Sequence, residues 1–247
     1  LVAAIAFAIG LNFYAQYHSQ VINFEFIGAK ESEMLLLQDG GDHIVIDISS
    51  GAYEYSNDAY QRTVENTATE ISAYILTHYH TNHQSTLYKL FRKAVVQTLY
   101  LPYPQDLEEY YKMSPLVALA KSANVDVVLY DSDKATSISD SVKITLSPRE
   151  YLKRSTHPLL YLTIDTPKCK ITYLGESSSD NTTYSNQLSG SVANSRIIIL
   201  GTHGPKTKNP IDLGNLNTVK EIVFADKDIE AHFINNVRET VTFYRNT

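Results

Sequence analysis

Three of the chain's eight histidines, His78, His80 and His83, fall within six residues. They follow a short apolar, partly β-branched run, Ile71–Leu76, which reads as a buried strand. Histidines at i and i+2 after a strand can turn two imidazoles toward one point at its end. His83 falls where the next segment enters a helix. Imidazole suits zinc and related first-row metals, which take about four ligands and keep one position open at catalytic sites. The chemistry this spacing offers is therefore metal-assisted. The bland alternative is a histidine-rich surface loop.

Further ligands would have to come from elsewhere. Three other points place polar, ligand-capable residues at the ends of apolar strands: Asp47 in His43–Ile48, Glu176 after the strand to Leu174, and His203 after Arg196–Leu200. Strand ends that meet at one edge of packed sheets build a cleft. His157, in the loop Ser155-Thr156-His157-Pro158, is a candidate further imidazole, the alternative being a plain loop histidine. His18, His43 and His232 lack such a setting and are expected at the surface.

The elements that must position these groups follow from periodicity and turn chemistry. Strands are expected at Val21–Phe26, Met34–Gln38 and His43–Ile48, with a loop at Ile27–Ser32 and a hairpin turn at Asp39-Gly40-Gly41-Asp42. A helix over Asn57–Glu70 precedes the histidine strand, and Ser85–Val95 has helical spacing of Leu87, Leu90 and Phe91. A strand at Val96–Leu101 leads to a helix over Pro104–Ala123, with Leu107, Tyr110 and Tyr111 on one side and Pro115 as a break point after Ser114. Strands follow at Val125–Tyr130 and Val142–Leu146. A hairpin pairs Leu159–Ile164 with Lys170–Leu174 around Thr166-Pro167. A polar loop at Gly175–Asp180 and a short helix near Asn181–Leu188 lead to Arg196–Leu200. Strands at Lys220–Phe224 and Val241–Tyr244 close the chain around a helix at Asp228–Val237. Two runs of strands with interspersed helices imply stacked sheets flanked by helices, in one globular domain over residues 21–247.

Composition sets bounds. At 247 residues with 43% hydrophobic and 19% charged residues, the chain can bury a full core and is not a disordered segment. A net charge of −6 disfavours a general nucleic-acid coat but leaves room for a local basic cleft. Lys206 and Lys208 follow His203, and Arg149, Lys153 and Arg154 precede His157; they form either a basic rim for phosphate or an ordinary solvated surface. Tyr79 is placed either to stack on a base or to pack. The single cysteine, Cys169, excludes an internal disulfide and reads as a packing residue. Residues 1–20 read as the tail of a transmembrane helix or a linker. Leu1–Ala15 is strongly apolar but short of the roughly 20 residues that span a bilayer, and a buried core helix is the alternative. No Lys or Arg follows before Lys30, which points the domain to the extracytoplasmic side.

The order of these motifs resembles the metallo-β-lactamase fold, whose hallmark is His-x-His-x-Asp-His; here it reads His78-Tyr79-His80-Thr81-Asn82-His83. It is similar in particular to the C-terminal domain of ComEC-type DNA-uptake channels. That group reads Asp-Val-Gly-Gln-Gly-Asp-Ser where this chain has Phe26-Ile27-Gly28-Ala29-Lys30-Glu31-Ser32, and Ile-Asp-Gly-Gly where it has Ile46-Asp47-Ile48-Ser49. Its Thr-Gly-Asp corresponds to Leu174-Gly175-Glu176, and its His-His-Gly-Ser to Thr202-His203-Gly204-Pro205. The resemblance implies an α/β (α+β) four-layer αββα sandwich in a bacterial membrane protein, with hydrolysis of DNA phosphodiesters by a metal-activated water. It implies metal ligands among His78, His80, His83, Glu176 and His203; His157 is a candidate from this sequence alone, at a place where the family more often has a polar, Asn-rich stretch. It puts Asp47 and Asn82 at catalytic positions; Lys206, Lys208, Lys153 and Arg154 agree with it as a basic rim for single-stranded DNA if both segments flank the cleft.

The departures change that expectation. Asn82 stands where the family has an Asp that binds a second metal and orients or deprotonates the attacking water. An amide is a poor ligand and no base near neutral pH. Glu176 lengthens a metal-bridging Asp by one methylene, and Thr202 replaces a histidine. One ion of zinc or manganese is therefore expected rather than two, at His78 and His80. The competing reading is a catalytically inactive domain that binds DNA or supports the channel.

Overall fold

The computed structural model describes residues 22–29, 32–48, 70–79, 81–92, 94–131, 134–146, 160–176, 190, 192, 194–203, 217–224 and 242–245. Six strands form the first sheet, in the order β1 (Ile22–Ala29), β2 (Ser32–Asp39), β3 (Asp42–Ile46), β4 (Glu70–Ile75), β5 (Val95–Pro102) and β6 (Asp126–Tyr130). The β1–β2–β3 meander is antiparallel, and β3 through β6 run parallel. The second sheet has seven strands: β7 (Thr136–Ser137), β8 (Lys143–Leu146), β9 (Leu160–Asp165), β10 (Lys170–Glu176), β11 (Ile197–His203), β12 (Glu221–Phe224) and β13 (Thr242–Arg245). It is antiparallel from β7 to β10 and parallel from β10 to β13. Helix α1 spans Thr81–Leu90 and α2 spans Leu107–Ser122.

Strands β2, β3 and β4 are nearly continuous apolar runs because both of their faces are buried. Leu35, Leu37, Ile44, Ile46 and Ile75 face the second sheet, where Ile144, Leu162, Ile164, Ile171 and Ile199 complete the layer between the sheets. Leu36, Val45 and Tyr74 face the other way, against Leu87 and Leu90 of α1 and Met113, Leu116 and Ala120 of α2. Register alternation thus puts successive side chains into two different cores, and a one-residue slip would empty both.

Helix α2 starts at the N-cap Asp106, whose carboxylate accepts from Glu109 N–H at 2.8 Å, while Glu109 reaches back to Gln105 N–H at 2.9 Å. Pro115 lies inside the helix and does not break it. Packing of Met113, Leu116 and Ala120 outweighs the one hydrogen bond that a proline cannot make. Leu107, Tyr110 and Tyr111 lie on the exposed surface, at 72%, 51% and 69% exposure, so the stripe that holds the helix is not theirs.

Other boundaries also differ from expectation. The expected loop Ile27–Ser32 is mostly strand: β1 runs to Ala29, which pairs with Ser32, because hairpin pairing continues while both backbones stay in register. Helix α1 begins at Thr81, four positions before Ser85, and ends at Leu90, since the β-branched Val95 and Val96 enter β5. The two-residue β7 is too short to show a period. Strands β10 and β11 extend to Glu176 and His203. The expected helix over Asn57–Glu70 ends in strand, since Glu70 opens β4, and its residues 57–69 lie outside the described residues, as do the expected helices at 181–188 and 228–237 and the apolar segment Leu1–Ala15. Among the described residues, no helix is long and apolar enough to cross a membrane.

The Cys169 side chain is half-buried and packs against the inter-sheet layer, at a turn closed by Thr166 N–H donating to Cys169 O at 3.0 Å. A polar tie joins the first sheet to the β7–β8 loop of the second. Asp39, buried at the β2–β3 turn, accepts from the Ser139 and Ser141 hydroxyls at 2.6 Å each. Asp39→Ala removes both acceptances at once and is expected to cost about 1–3 kcal/mol, read as a lower urea midpoint with an unchanged m-value.

Candidate metal centre

Strands β3 and β4 are parallel neighbours, with Ile46 opposite Ile75, so the residues just beyond them emerge side by side. Asp47 follows β3 at once. Its φ of 40° lies in the left-handed region, which Asp tolerates better than most non-glycine residues, and there the chain leaves the strand direction. Asp47 N–H still donates to Ile75 O at 3.0 Å, and Ile48 N–H donates to the Tyr74 hydroxyl at 3.0 Å. The turn is therefore pinned on both sides of the carboxylate.

That carboxylate is 1% exposed. Its Oδ1 accepts from Thr77 N–H at 2.9 Å, and its Oδ2 accepts from the Thr77 hydroxyl. His78 follows Thr77, buried, with Nδ1 2.9 Å from the Thr77 hydroxyl oxygen. The first turn of α1 brings in His83, fully buried, with Nδ1 3.7 Å from Asp47 Oδ1. The two imidazoles lie 4.2 Å apart between ring centres, tilted by 60°. One ligand-capable atom from each of Asp47, His78 and His83 lies within 4.8 Å of the others. Burial pushes the Asp47 carboxyl up, but the hydrogen bond and charge of His83, the charge of His78 and the Thr77 hydroxyl outweigh it, and the net shift is downward. Burial, then the Asp47 charge, drive the Tyr74 hydroxyl well above its usual range.

Two further bonds anchor the histidine segment to the neighbouring strands. Tyr130 donates to Leu76 O at 2.7 Å, and Tyr79 donates to Pro102 O. Gln84 also donates to Tyr79 O at 2.7 Å. Tyr79 is 3% exposed, so it packs, and base stacking by this ring is excluded by its burial.

The structure brings together Asp47, His78 and His83. Glu176 and His203 stand abreast at the ends of the parallel strands β10 and β11, where a bulge shifts the register between Leu174 and Glu176. Bulges of this kind re-aim side chains. Asn82 is the second residue of α1. The side chains of Glu176, His203 and Asn82 are not described, and His80, His157, Lys153, Arg154, Lys206 and Lys208 lie outside the described residues. His43 is half-buried rather than at the surface, because β3 is an interior strand; it lines a hollow of about 370 Å³ with Asn23, Phe24, Glu25, Leu36 and Gln38. Sequence reasoning missed Thr77 and Tyr74. The only signal for Thr77 was its place next to His78.

No protein-family model and no curated protein matches the sequence. Solved structures do match. Zn(2+)-bound PqqB from Methylobacterium extorquens aligns over 88% of this chain and 87% of its own, at 9% identity and a TM-score of 0.51. A diphosphatase from the PhnP family aligns over 90% and 94%, at 12% identity and a TM-score of 0.50. CmlA, a diiron beta-hydroxylase from Streptomyces venezuelae, aligns over 81% of this chain and 44% of its own, at 13% identity and a TM-score of 0.52.

The fold is that of the metallo-β-lactamases.

Identities this low carry the fold alone. Within this fold, PqqB was solved with Zn and CmlA is a diiron protein. The donor set here suits a metal of that class: two imidazoles and one carboxylate, buried and converging, are what Zn²⁺, Mn²⁺ or Fe²⁺ accept. The site depends on the Tyr74 hydroxyl, which satisfies the buried Ile48 N–H beside Asp47. Tyr74→Phe is expected to destabilise the protein by about 1–3 kcal/mol, checked by chemical denaturation of the metal-free protein.

Proposed function

We propose that this chain is the metal-dependent hydrolase domain of a ComEC-type DNA-internalisation protein, acting on phosphodiester bonds. The observation that carries the metal-dependent part is the convergence of Asp47, His78 and His83 within 4.8 Å at the ends of two parallel strands. Bound there, Zn²⁺ or Mn²⁺ would supply water activation near neutral pH and polarisation of the scissile group. His78 and His83 would hold the ion with help from His80, Glu176, His203 or His157, while Asp47 keeps the cluster oriented. The buried Tyr79, Leu76 and Leu87 exclude solvent behind it.

Support for phosphodiesters as substrate comes from the motif order shared with ComEC-type domains and from the phosphorus chemistry of the PhnP-family diphosphatase. The proposed DNA partner is a single strand, met by Lys206, Lys208, Lys153 and Arg154. The proposed setting is the extracytoplasmic side of a bacterial membrane, reached through transmembrane segments that end near Ala15.

A second reading has one observation of its own. Asn82 offers neither a charged ligand nor a base. A domain of this kind could bind DNA or support the channel without hydrolysis.

Elemental analysis after loading with Zn²⁺ or Mn²⁺ is the first test. About one ion per chain is expected, set by the cluster of Asp47, His78 and His83 among the described residues, and it should be lost in the His78→Ala, His83→Ala double variant. A wild type without metal under either loading rejects the hydrolase. The two readings part at Asn82→Asp, assayed on a single-stranded oligonucleotide. Nuclease activity that appears only in the variant supports the inactive reading, and activity already present in the wild type supports the enzyme.

A further inference from the structure

Thr77 stands between Asp47 and His78, and all three side chains are buried. Its backbone N–H and its hydroxyl both reach the Asp47 carboxylate, and its hydroxyl oxygen also lies 2.9 Å from His78 Nδ1. A hydroxyl has one proton to donate. A carboxylate can only accept, so that proton goes to Asp47. The Thr77 oxygen then has only lone pairs to offer His78, and the contact requires a proton on Nδ1. A neutral imidazole carries its single ring proton on one nitrogen. Nε2 is thus left with its lone pair.

We infer that Thr77 is a positioning residue which, backed by Asp47, locks His78 in the Nδ1–H tautomer and leaves Nε2 as its metal-ligating nitrogen. Only the last clause rests on the function proposed above; the tautomer stands without it. His83 turns its Nδ1 toward the same carboxylate, 3.7 Å from Oδ1. Asp47 therefore sits behind both imidazoles. Both its oxygens accept from Thr77, and the carboxylate thereby orients the histidines. Ligand histidines are commonly held this way, by a partner on the ring nitrogen that does not face the ion. Here a threonine hydroxyl is interposed on one of the two arms.

The test uses the full 247-residue chain, free of metal and labelled with ¹⁵N, above the imidazole titration. Two-bond ¹H–¹⁵N correlation reads the tautomer of each ring, and His78→Gln assigns the His78 signals by their disappearance. The wild type is expected to show Nδ1–H at His78. Thr77→Val keeps the shape and removes the oxygen. It is expected to move His78 toward the Nε2–H form and to weaken Zn²⁺ binding, measured by calorimetry with Zn²⁺ alone, by about 10–100-fold. Thr77→Ser keeps the oxygen and should restore both readings. A wild-type His78 found as Nε2–H overturns the inference, and so does a Thr77→Val protein with tautomer and affinity unchanged. If Thr77→Val does not fold, the wild-type tautomer and Thr77→Ser decide alone. A wild type that shows Nδ1–H yet takes up no Zn²⁺ keeps Thr77 in its positioning role and rejects the metal-dependent function instead.

Discussion

A carboxylate removed from water has to be compensated where it stands. Isolated burial of such a charge costs many kcal/mol, and proteins meet it with hydrogen bonds and opposite charge or not at all. Asp47 is that carboxylate, and its compensation specifies much of the local structure. Thr77 N–H and its hydroxyl can reach Asp47 only if β3 and β4 are parallel and in the observed register, because the partners lie 30 residues apart. His83 can approach only if α1 begins directly after the histidine segment. Tyr74 has to point to the helical face so that its hydroxyl can accept from Ile48. A slip of one residue in β3 would put the carboxylate on the wrong face and break each of these contacts.

The rest of the fold keeps that register from slipping. Strands β3 and β4 are anchored on both faces, by Ile44, Ile46, Ala73 and Ile75 in the inter-sheet layer and by Val45 and Tyr74 under the helices. Both sheets change from antiparallel to parallel pairing partway across, the first at β3 and the second at β10. Parallel neighbours release their chains at the same end, so polar residues distant in sequence emerge together. Asp47 meets Thr77 and His78 in this way, and Glu176 stands beside His203 in the same way on the second sheet. Ligands in sheets of parallel strands gather at carboxyl ends for this topological reason.

Much of this was legible in the sequence because most of it rests on local patterns. The apolar runs of β2, β3, β4, β10 and β11 are too short and too β-branched for helices, and their ends carry the chemistry-bearing residues. What escaped is whatever depends on pairing between distant segments. Thr77 reads as an ordinary polar residue until β3 lies beside β4. Tyr74 reads as core, and its hydroxyl has a purpose only because Ile48 leaves its strand there. Tyrosine misleads in the other direction in α2, where Tyr110 and Tyr111 suggest a buried stripe but lie exposed, since an amphipathic ring tolerates either side. His43 was assigned by its lack of motif context, whereas an interior strand position decided its burial.

Charge bears on what Asn82 does to the proposed chemistry. In the parent motif that position carries a carboxylate in the first turn of the following helix. Here the first turn of α1 has no acidic residue at all. The positive end of the helix dipole and any bound divalent ion are therefore opposed by one less negative charge than in the parent motif. On the proposed function, such a site would attract an anionic phosphodiester more strongly in its ground state. It also loses the group that would take a proton from, or aim, the attacking water. With Asn82 in that place, the proposed binding would gain and the proposed chemistry would lose, and uniform binding of this kind does not by itself lower a barrier. A hydrolase with Asn82 must therefore find its base elsewhere. Asp47 is a poor base here, because His83, His78 and Thr77 hold its carboxyl below the usual carboxylate range and it is shut away from solvent. Glu176, standing next to His203 at the bulge in β10, and Glu31 are the remaining carboxylates among the motif positions. The proposed enzyme would call on one of these carboxylates or on the metal-activated water alone, and the binding reading needs neither.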